Sequence, residues 1–539
     1  MSGMTRNRPA VDRYAASGVW RERTVAMDAL DRALADPDGA VFVGEDAPWT
    51  YASVMSDAEA LAASLHDLGL RPGDVLSFQL PNWPETAVIN LAACRLGLVC
   101  CPLVPIYRDN DLSFMLRDSR SRILFIPGTF RGFSYTEMLE RLRASLPDLH
   151  IVTVRSRAPG MPDFGDLVAA GAGRRLDWPE VSPRATKLLL YTSGTTGLPK
   201  AVLHDHNTLA RAISVSADHW GVRGGDVVFM PSPVTHATGY SNALELPFMA
   251  GTRCLLMERW ESAAAVTLID KHQATMTVGA TPFLKELTAS ALAVASDLPS
   301  LRIFACGGAS VPETVIDAAN AAFRQKPAFR VYGSTEAPYI TLGFAGSDPA
   351  RRGATTDGAV VDYEVRVLDD AGADLPRGSE GEIAVRGPSL FRGYLREEDN
   401  QSSFTPDGFF LTGDIGIYRD DGAILITDRK KDLIIRGGEN ISAREIEHYL
   451  HRHPAVSEAS VVAMPHVRLG EGVCAFVIPE DGRTLTLGEL ADFLLAERLA
   501  PQKVPERLEI LLDFPRTPSG KVRKNVLRQM ALESPADGG

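Results

Sequence analysis

Short apolar runs alternate with helix-like segments along most of the chain. Residues 75–80, 99–104 and 123–126 are three such runs, and residues 85–96 resemble a helix. The pattern returns at residues 187–191, 227–230, 275–278 and 301–305. Strands that alternate with helices tend to pair in parallel, and the helices then cover the faces of the sheet. The sequence therefore predicts an α/β fold of helix-covered sheets.

The C-terminal part of the chain has a different pattern. Residues 442–445 (Ser-Ala-Arg-Glu) and 486–489 (Thr-Leu-Gly-Glu) are capping-box sequences that each open a helix. Two strand-like runs, residues 460–464 and 473–478, lie between them. A chain of 539 residues is also too long for a single hydrophobic core. We therefore predict a large N-terminal domain over residues 1–428 and a small α+β C-terminal domain over residues 429–539.

Composition and charge exclude several classes of function. The formal net charge is −12 at neutral pH, and no block of basic residues indicates nucleic-acid binding. The six cysteines show no zinc-site spacing, and their apolar neighbours indicate buried free thiols. The longest apolar stretch, residues 86–106, contains Arg95 and two prolines, which a membrane span rarely tolerates. The start of the chain has no apolar signal core, so we expect a cytoplasmic protein.

A strand-like run leads into a loop that is rich in glycine and hydroxyl groups. Residues 188–191 are apolar, and residues 192–200 have the sequence Thr-Ser-Gly-Thr-Thr-Gly-Leu-Pro-Lys. Glycines let a backbone approach phosphate oxygens, while hydroxyl groups and a lysine supply donors. A Walker A loop would end in Gly-Lys-Ser/Thr, whereas Lys200 follows Pro199. The loop therefore predicts a phosphate site that is not of the Walker type.

Six motifs along the chain resemble those of one superfamily, in the same order. They are residues 191–200, 306–309 (Cys-Gly-Gly-Ala), 332–336 (Tyr-Gly-Ser-Thr-Glu), 412–414 (Thr-Gly-Asp), 428–441 and 515–521. Together they are similar to the motifs of acyl- and aryl-CoA synthetases, peptide-synthetase adenylation domains and luciferases. The resemblance spans nearly the whole chain, and its nearest members are bacterial short- or medium-chain fatty-acid and cyclohexanecarboxylate CoA ligases. It implies the AMP-forming ligase fold, in which the small C-terminal domain is mobile.

The resemblance implies a site for ATP and Mg²⁺. Tyr332 would lie against the adenine ring, and Asp414 and Arg429 would hold the ribose. Glu336 would bind Mg²⁺, since this hard cation is bound by one or two carboxylates together with phosphate oxygens. The other nucleotide-binding residues that the motifs imply are Thr192, Ser193, Gly194, Thr195, Thr196, Gly197, Lys200, Gly307, Gly308, Ala309, Gly333, Ser334 and Thr335.

The same resemblance implies roles for residues of the C-terminal part. Lys521 would be catalytic and would bridge the carboxylate and the α-phosphate, two anions that repel each other. Lys431 would be the hinge about which the small domain rotates after adenylation. Gly437, Gly438 and Lys503 would line the path of coenzyme A.

Residues 233–239, Pro-Val-Thr-His-Ala-Thr-Gly, match the segment that forms the wall of the acyl pocket in the family. His236 would lie beside the reactive carboxylate and, like Thr192 and Glu336, would be catalytic. Ala237, Gly239 and Gly308 would line the acyl pocket. The segment has no acidic residue to pair with an amine, and Ala237 stands where enzymes for 2,3-dihydroxybenzoate have an asparagine. We therefore expect an uncharged aliphatic, alicyclic or simple aryl acid.

The main hypothesis is a ligase that forms an acyl-adenylate from a carboxylic acid and ATP and then passes the acyl group to coenzyme A. A stand-alone adenylating enzyme that loads a carrier-protein thiol or an amine stays open. Relatives often have an aromatic residue where this chain has Gln502, which weakens the case for a stacked adenine of coenzyme A. A nucleotide-binding pseudoenzyme is disfavoured, because Glu336, Asp414 and Lys521 are all present. No feature requires a luciferase-like oxygenase.

Overall fold

The computed structural model describes residues 13–44, 48–192, 199–309, 311–436, 439–517 and 521–533. Within these residues, two seven-stranded sheets make up most of the N-terminal part. In spatial order, the first sheet contains the strands Ala328–Val331, Ile303–Gly307, Met276–Gly279, Val227–Met230, Arg253–Leu256, Ala40–Val43 and Trp49–Thr50. The second contains Gly393–Tyr394, Lys200–Asp205, Thr186–Thr192, Val99–Pro102, Val75–Phe78, Ser121–Pro127 and His150–Val154.

Most neighbouring strands of these two sheets are parallel, as the alternation of strands and helices predicts. In the first sheet the short strand Trp49–Thr50 is antiparallel to its neighbour, and in the second Lys200–Asp205 is antiparallel to both neighbours. The helices of this part are Val25–Ala35, Tyr51–Asp67, Glu85–Leu96, Asp109–Ser119, Tyr135–Leu142, Phe164–Gly171, His206–His219, Ala237–Gly239, Leu246–Ala250, Ser262–His272, Thr281–Ala293, Glu313–Ala322, Arg352–Thr355 and Glu397–Gln401. A π-helical segment covers Tyr240–Glu245, and a 3₁₀ turn covers Arg143–Ser145. The expected α/β class is confirmed.

Helix Glu85–Leu96 shows how the local sequence fixes an element of the core. The helix starts directly after Pro84 and ends at Gly97, whose φ of +71° is the left-handed conformation that caps many helices. Eleven of its twelve residues are buried, because it packs in the core that both large sheets share. A helix that is buried on nearly all sides is typical of such a position.

Two smaller sheets follow the large ones. The first is antiparallel and contains Glu364–Leu368, Glu380–Arg386, Phe410–Tyr418 and Ile424–Arg429. The C-terminal sheet contains Glu439–Ile441, Ile434–Arg436, Gly470–Pro479, Val456–His466 and Arg507–Ile510. Its helices are Ala443–Leu450, Leu487–Ala496 and Lys524–Glu533, with a 3₁₀ turn at Pro501–Lys503. A separate hairpin joins Thr129–Phe130 and Phe133–Ser134.

The C-terminal helices begin where the capping boxes predict. The hydroxyl of Thr486 accepts from the N–H of Glu489, and the Glu489 carboxylate accepts from the N–H of Thr486. The Ser442 hydroxyl accepts from the N–H of Glu445. The predicted domain boundary after residue 428 falls at the end of strand Ile424–Arg429, and it stays a prediction.

The six cysteines are buried free thiols, as their apolar neighbours predict. Within the described ranges, none of the helices combines the length and the apolar character that crossing a bilayer requires.

Candidate functional site

Several strands of the first sheet end at one cavity. Ile303–Gly307 and Ala328–Val331 each lead into a predicted nucleotide motif, and Val227–Met230 leads into the segment that contains His236. Ligands of open α/β sheets bind outside the carboxyl ends of the strands, and this cavity has a volume of about 1460 Å³. The predicted site residues that border it are Thr192, His236, Ala237, Gly308, Ala309, Tyr332, Gly333, Thr335, Asp414, Arg429, Lys431 and Lys521.

Asp414 links the residues that were predicted to hold adenine and ribose. Arg429 is its partner in the register of the neighbouring strand, and Arg429 Nε lies 2.7 Å from Asp414 Oδ1. The hydroxyl of Tyr332 donates to Asp414 Oδ2 at 2.7 Å. The fixed Asp414 carboxylate raises the pKa of the Arg429 guanidinium. The cluster therefore combines a carboxylate that can accept from sugar hydroxyl groups with an adjacent aromatic ring.

Glu336 does not border the cavity itself, although the preceding residue Thr335 does. One of the two Glu336 carboxylate oxygens accepts a hydrogen bond from another side chain. The hydroxyl of Tyr394 donates to Glu336 Oε1 at 2.9 Å, which leaves Oε2 for a cation. Among the residues that the structure describes, no cluster of three or more acidic, histidine or cysteine side chains could bind a metal ion alone. Mg²⁺ needs few protein carboxylates when phosphate oxygens and water complete its shell. A single carboxylate oxygen next to Thr335, which borders the cavity, fits this mode of Mg²⁺ binding.

Lys521 reaches the cavity from the loop that precedes helix Lys524–Glu533. Its backbone is fixed to Thr517, because the Thr517 N–H donates to the Lys521 carbonyl at 2.7 Å and the Lys521 N–H donates to Thr517 Oγ1 at 3.1 Å. A Cβ added to Gly308 would lie 3.6 Å from Lys521 Cε. Gly308 has a φ of +86°, which favours glycine. The lysine stem therefore lies against the glycine turn that follows Ile303–Gly307.

The electrostatic surroundings of Lys521 depress its basicity. Burial and the Arg429 guanidinium lower the pKa of the Lys521 ammonium to about 8, while the carboxylates of Asp414 and Glu336 oppose this shift. The Lys521 ammonium therefore lies near both a cation, Arg429, and two carboxylates, Asp414 and Glu336. Such a group is suited to bridging two anions in a site from which water is excluded.

His236 is a neutral imidazole at physiological pH. Burial and the nearby Lys521 ammonium lower the pKa of His236 to about 4. Its Nδ1 accepts a long hydrogen bond from the Thr238 N–H at 3.5 Å. A neutral imidazole with Nδ1 as acceptor has its proton on Nε2. His236 can therefore donate to an oxygen in the cavity.

The chain matches the family model for the AMP-binding enzyme over residues 30–395. It belongs to the AMP-binding enzyme family. The model for the C-terminal domain of the same enzymes matches residues 445–521. These two matches leave residues 396–444 between them, so they do not place the domain boundary.

Similar proteins of this family differ in the partner to which they join an acid. The chain is 35% identical over 526 residues to the medium-chain fatty-acid–CoA ligase of Escherichia coli (strain K12), covering 96% of this chain and 92% of the relative. It is 32% identical over 531 residues to the 2,3-dihydroxybenzoate-AMP ligase of Bacillus subtilis (strain 168), covering 96% of both. The structure of the amide bond synthetase McbA from Marinactinospora thermotolerans superposes with a TM-score of 0.82 at 26% identity, over 94% of this chain and 99% of the other. The protein is an ATP-dependent, AMP-forming ligase.

One residue that was predicted to line the acyl pocket of this AMP-binding enzyme does not face it. A Cβ on Gly239 would lie 2.1 Å from the carbonyl oxygen of Pro233, and Gly239 does not border the cavity. The prediction for Gly239 is therefore wrong. The backbone turn that carries His236 folds back on Pro233, and only glycine leaves room for that approach. Ala237 and Gly308, by contrast, do border the cavity.

Other predicted residues lie beside the cavity or farther away. Lys200 Nζ lies 3.1 Å from Asp399 Oδ1 and 5.0 Å from the ring of Tyr394. Lys503 pairs with Glu445 at 2.6 Å within the C-terminal part and does not border the cavity. Gly307 and Ser334 also do not border the cavity. The residues Ser193, Gly194, Thr195, Thr196, Gly197, Gly437 and Gly438 lie outside the described residues.

Lys431 borders the cavity in the turn between strands Ile424–Arg429 and Ile434–Arg436. Its carbonyl accepts from the guanidinium of Arg528 at 3.2 Å. A short turn between two sheets is a suitable place for a hinge, and this role of Lys431 stays a prediction.

Three residues that hold the 332–336 motif were missed by the sequence argument. Tyr394 positions Glu336, and the N–H of Phe391 donates to the Glu336 carbonyl at 2.8 Å. His204 Nε2 donates to the Thr335 carbonyl at 2.7 Å. Burial lowers the pKa of His204 to about 4, so this support is uncharged. Their positions in the sequence, far from residues 332–336, gave no signal of these contacts.

Proposed function

We propose that this ligase joins an uncharged carboxylic acid to coenzyme A in two steps. In the first step, a carboxylate oxygen of the acid attacks the α-phosphate of ATP, the bond to the β-phosphate oxygen breaks, and pyrophosphate leaves. In the second step, the thiol of coenzyme A loses its proton and attacks the acyl carbon, and the acyl–phosphate bond breaks with release of AMP. The overall products are a thioester, AMP and pyrophosphate.

The observation that best supports the first step is the position of Lys521. The C-terminal part delivers this lysine to the cavity that His236, Tyr332 and Asp414 border. An ammonium there can lie between the carboxylate of the acid and the α-phosphate, whose mutual repulsion opposes the attack. His236 would donate from Nε2 to a carboxylate oxygen and orient the acid.

The nucleotide side has its own set of groups. Asp414 and Arg429 would hold the ribose, and Tyr332 would lie against the adenine. Glu336 would hold Mg²⁺, which neutralises phosphate charge when it is bound. Thr192 and Thr335 border the cavity and would donate hydroxyl hydrogens to phosphate oxygens.

The segment after His236 supports an uncharged acid. Ala237 borders the cavity and offers neither a charge nor a hydrogen-bonding group. A polar group on the acid would lose its hydration there without gaining a partner. We therefore expect graded activity with medium-chain fatty, cyclohexanecarboxylic and benzoic acids. α-Amino acids and 2,3-dihydroxybenzoate should be poor substrates.

A second candidate function is transfer to a carrier-protein thiol or to an amine. Gln502 and the relatives with other acceptors support this alternative. Lys503, which was predicted to lie on the coenzyme A path, is paired with Glu445 in this arrangement. The two candidates share the adenylation step and differ only in what attacks the acyl carbon.

The experiment that tests the proposal has two arms. ATP–pyrophosphate exchange is measured with a panel of acids, and product formation is then measured with and without free coenzyme A. We expect acid-dependent exchange with neutral acids and a thioester product only with coenzyme A. Release of ADP and orthophosphate would contradict adenylation. Acid-dependent exchange without a coenzyme A thioester would favour the second candidate.

A further inference from the structure

A second charged cluster lies in the core and does not border the cavity. Lys187 and Glu245 form an ion pair in which both side chains are almost completely buried, at 1% and 2% exposed. The amide of Asn90 donates to Glu245 Oε1 at 2.7 Å, and Asn90 Oδ1 accepts from the hydroxyl of Tyr240. Transfer of two ions out of water is costly and is only partly offset by their attraction. Stability alone therefore gives a weak reason for this pair.

The pair joins two elements that are each connected to a residue at the cavity, Thr192 in one case and His236 in the other. Lys187 is the second residue of strand Thr186–Thr192, which ends at the phosphate loop. Glu245 is the last residue of the π-helical segment Tyr240–Glu245. The first residue of that segment donates its N–H to the His236 carbonyl at 2.8 Å. π-Helical turns are rare and are frequent at functional sites.

Other polar contacts hold the His236 segment to its surroundings. The side chain of Asn82 accepts from the Val234 N–H at 2.9 Å. Asn242 donates to the Thr238 carbonyl at 2.9 Å and to the hydroxyl of Tyr339 at 2.7 Å. These contacts fix the shape of the segment. The Lys187–Glu245 pair adds a direct link from the end of the π-helical segment, which follows the His236 segment, to the strand that carries Thr192.

We propose that Lys187 and Glu245 are positioning residues that set the distance between the acid-binding segment around His236 and Thr192, the last residue of strand Thr186–Thr192. The proposal rests on the proposed function, because it concerns the acid in the adenylation step. Reacting groups that are misplaced by about 1 Å lose on the order of 100-fold in rate. The ion pair does not touch the substrates. It would affect the adenylation rate because it positions His236 and Thr192, which border the cavity.

The decisive test replaces both members of the pair by apolar residues of similar size, Lys187→Met with Glu245→Leu. Apolar replacement of a whole buried ion pair is often neutral or stabilising, so the double variant separates positioning from folding. In ATP–pyrophosphate exchange we expect kcat/KM for the acid to fall about tenfold. KM for ATP should stay within about twofold, and the Tm should fall only by the small amount that one unpaired Asn90 amide donor costs.

Two further variants complete the test. Glu245→Gln keeps the shape of the side chain, and we expect it to lose acid kcat/KM selectively but less than the double variant. The control is Arg302→Met with Asp226→Leu, which removes an ion pair near the amino ends of strands Val227–Met230 and Ile303–Gly307. This control should have the kinetics of the parent enzyme. Glu245→Gln leaves the buried Lys187 ammonium unpaired, so its Tm should fall. If the double variant does not fold, Glu245→Gln is assayed below its Tm, and an unchanged acid kcat/KM there would overturn the proposal.

The possible outcomes separate this proposal from the proposed function. If the parent enzyme shows no acid-dependent exchange with any acid, the proposed function fails. If the parent enzyme is active and the folded variants have the same acid kcat/KM, the positioning role of Lys187 and Glu245 is wrong. A rise in KM for ATP as large as the loss in kcat/KM for the acid would also overturn it, because a general structural defect predicts that result.

Discussion

The two sides of the cavity are held in different ways. On the nucleotide side, Tyr332, Asp414 and Arg429 form a closed cluster of bonds of 2.7 Å across neighbouring elements. On the other side, Lys521 comes from the C-terminal part, whose polar contacts with the large part include the exposed Lys285 and Ser457 at 3.1 Å. The contacts between the two parts also include the ion pair of Arg444 with the buried Asp357. The comparison therefore teaches that the residues proposed to bind the nucleotide are fixed by neighbouring strands, whereas the position of Lys521 depends on how the C-terminal part packs on the large part.

The largest expected effect on the adenylation rate comes from removing the Lys521 ammonium group. Lys521→Ala should slow adenylation by two to three orders of magnitude, roughly 3–4 kcal/mol, since one electrostatic stabiliser of the transition state is lost. Thioester formation from a preformed acyl-adenylate should change much less, because the α-phosphate has already reacted. Both half-reactions are measured by single-turnover kinetics.

The matched control is Lys271→Ala, which removes an exposed lysine at the end of helix Ser262–His272. It should leave both half-reactions unchanged. An equal loss in the two steps for Lys521→Ala would mean that the lysine does more than bridge the anions of adenylation.

The next largest effect is expected on the choice of acid, from a change at the residue Ala237 that borders the cavity. Ala237→Leu should fill part of the cavity and shift the kcat/KM ratio toward smaller acids by about 1–3 kcal/mol, roughly 10- to 200-fold. Gly239→Ala, two residues away, should instead lower the Tm, because its Cβ would meet the Pro233 carbonyl. Substrate panels and thermal melts of both variants check this contrast. A change in selectivity with Gly239→Ala and none with Ala237→Leu would reverse our assignment of the pocket wall.

Tyr394→Phe tests whether the Tyr394 hydroxyl holds Glu336 in position to bind Mg²⁺. It removes one hydrogen bond to the carboxylate of Glu336, and bonds to charged groups contribute about 1.5–3 kcal/mol. We expect the Mg²⁺ concentration for half-maximal exchange to rise roughly tenfold or more, while KM for the acid stays unchanged. Tyr418→Phe removes a hydroxyl that contacts Arg377 and serves as the control. Unchanged Mg²⁺ dependence of Tyr394→Phe would show that Glu336 needs no such support.

The smallest effect concerns pH. The pKa of Lys521 is about 8, and the bridging role needs the ammonium form. Activity should therefore be present below this pKa and should fall as the pH rises through about 8, in the pH profile of kcat/KM, which reports the free enzyme. His236 has a pKa of about 4 and stays neutral from pH 6 upward, so it adds no change there.

Lys521→Arg sharpens the pH comparison. Its guanidinium stays protonated to a much higher pH, so the fall near pH 8 should disappear from whatever activity remains. A fall that persists in this variant would assign the titration to another group.

Elements with strong local signals could be predicted from the sequence. Helix Glu85–Leu96 and strand Val227–Met230 have the bounds that the pattern predicts. Pro84, Gly97 and the apolar run of the strand define these ends within a few residues. Twelve of the eighteen predicted site residues that the structure describes border one cavity. They were predicted from the motifs of the family and not from local periodicity.

The errors and omissions have a common physical cause. The sequence shows that Gly239 is small, but it does not show whether a missing side chain would face a cavity or a neighbouring carbonyl. Residues Tyr240–Glu245 form a π-helical segment, which turns the side chains that follow it relative to an α-helix. No local sequence pattern predicted this segment. The contact between Tyr394 and Glu336 joins residues 58 positions apart. Such partners depend on packing between elements, which periodicity does not encode.

The burial of the six cysteines has a chemical consequence for an enzyme that would make reactive acyl-adenylates. A thiolate near such an intermediate would capture the acyl group and inactivate the protein by self-acylation, since the thiolate is the attacking form. Cys306, whose thiol contacts Thr281 at the cavity edge, is completely buried. Burial raises the pKa of Cys306 to about 12, so its thiol stays protonated. A thiol acceptor such as the coenzyme A that we propose would therefore come from outside the protein, since all six cysteines are buried.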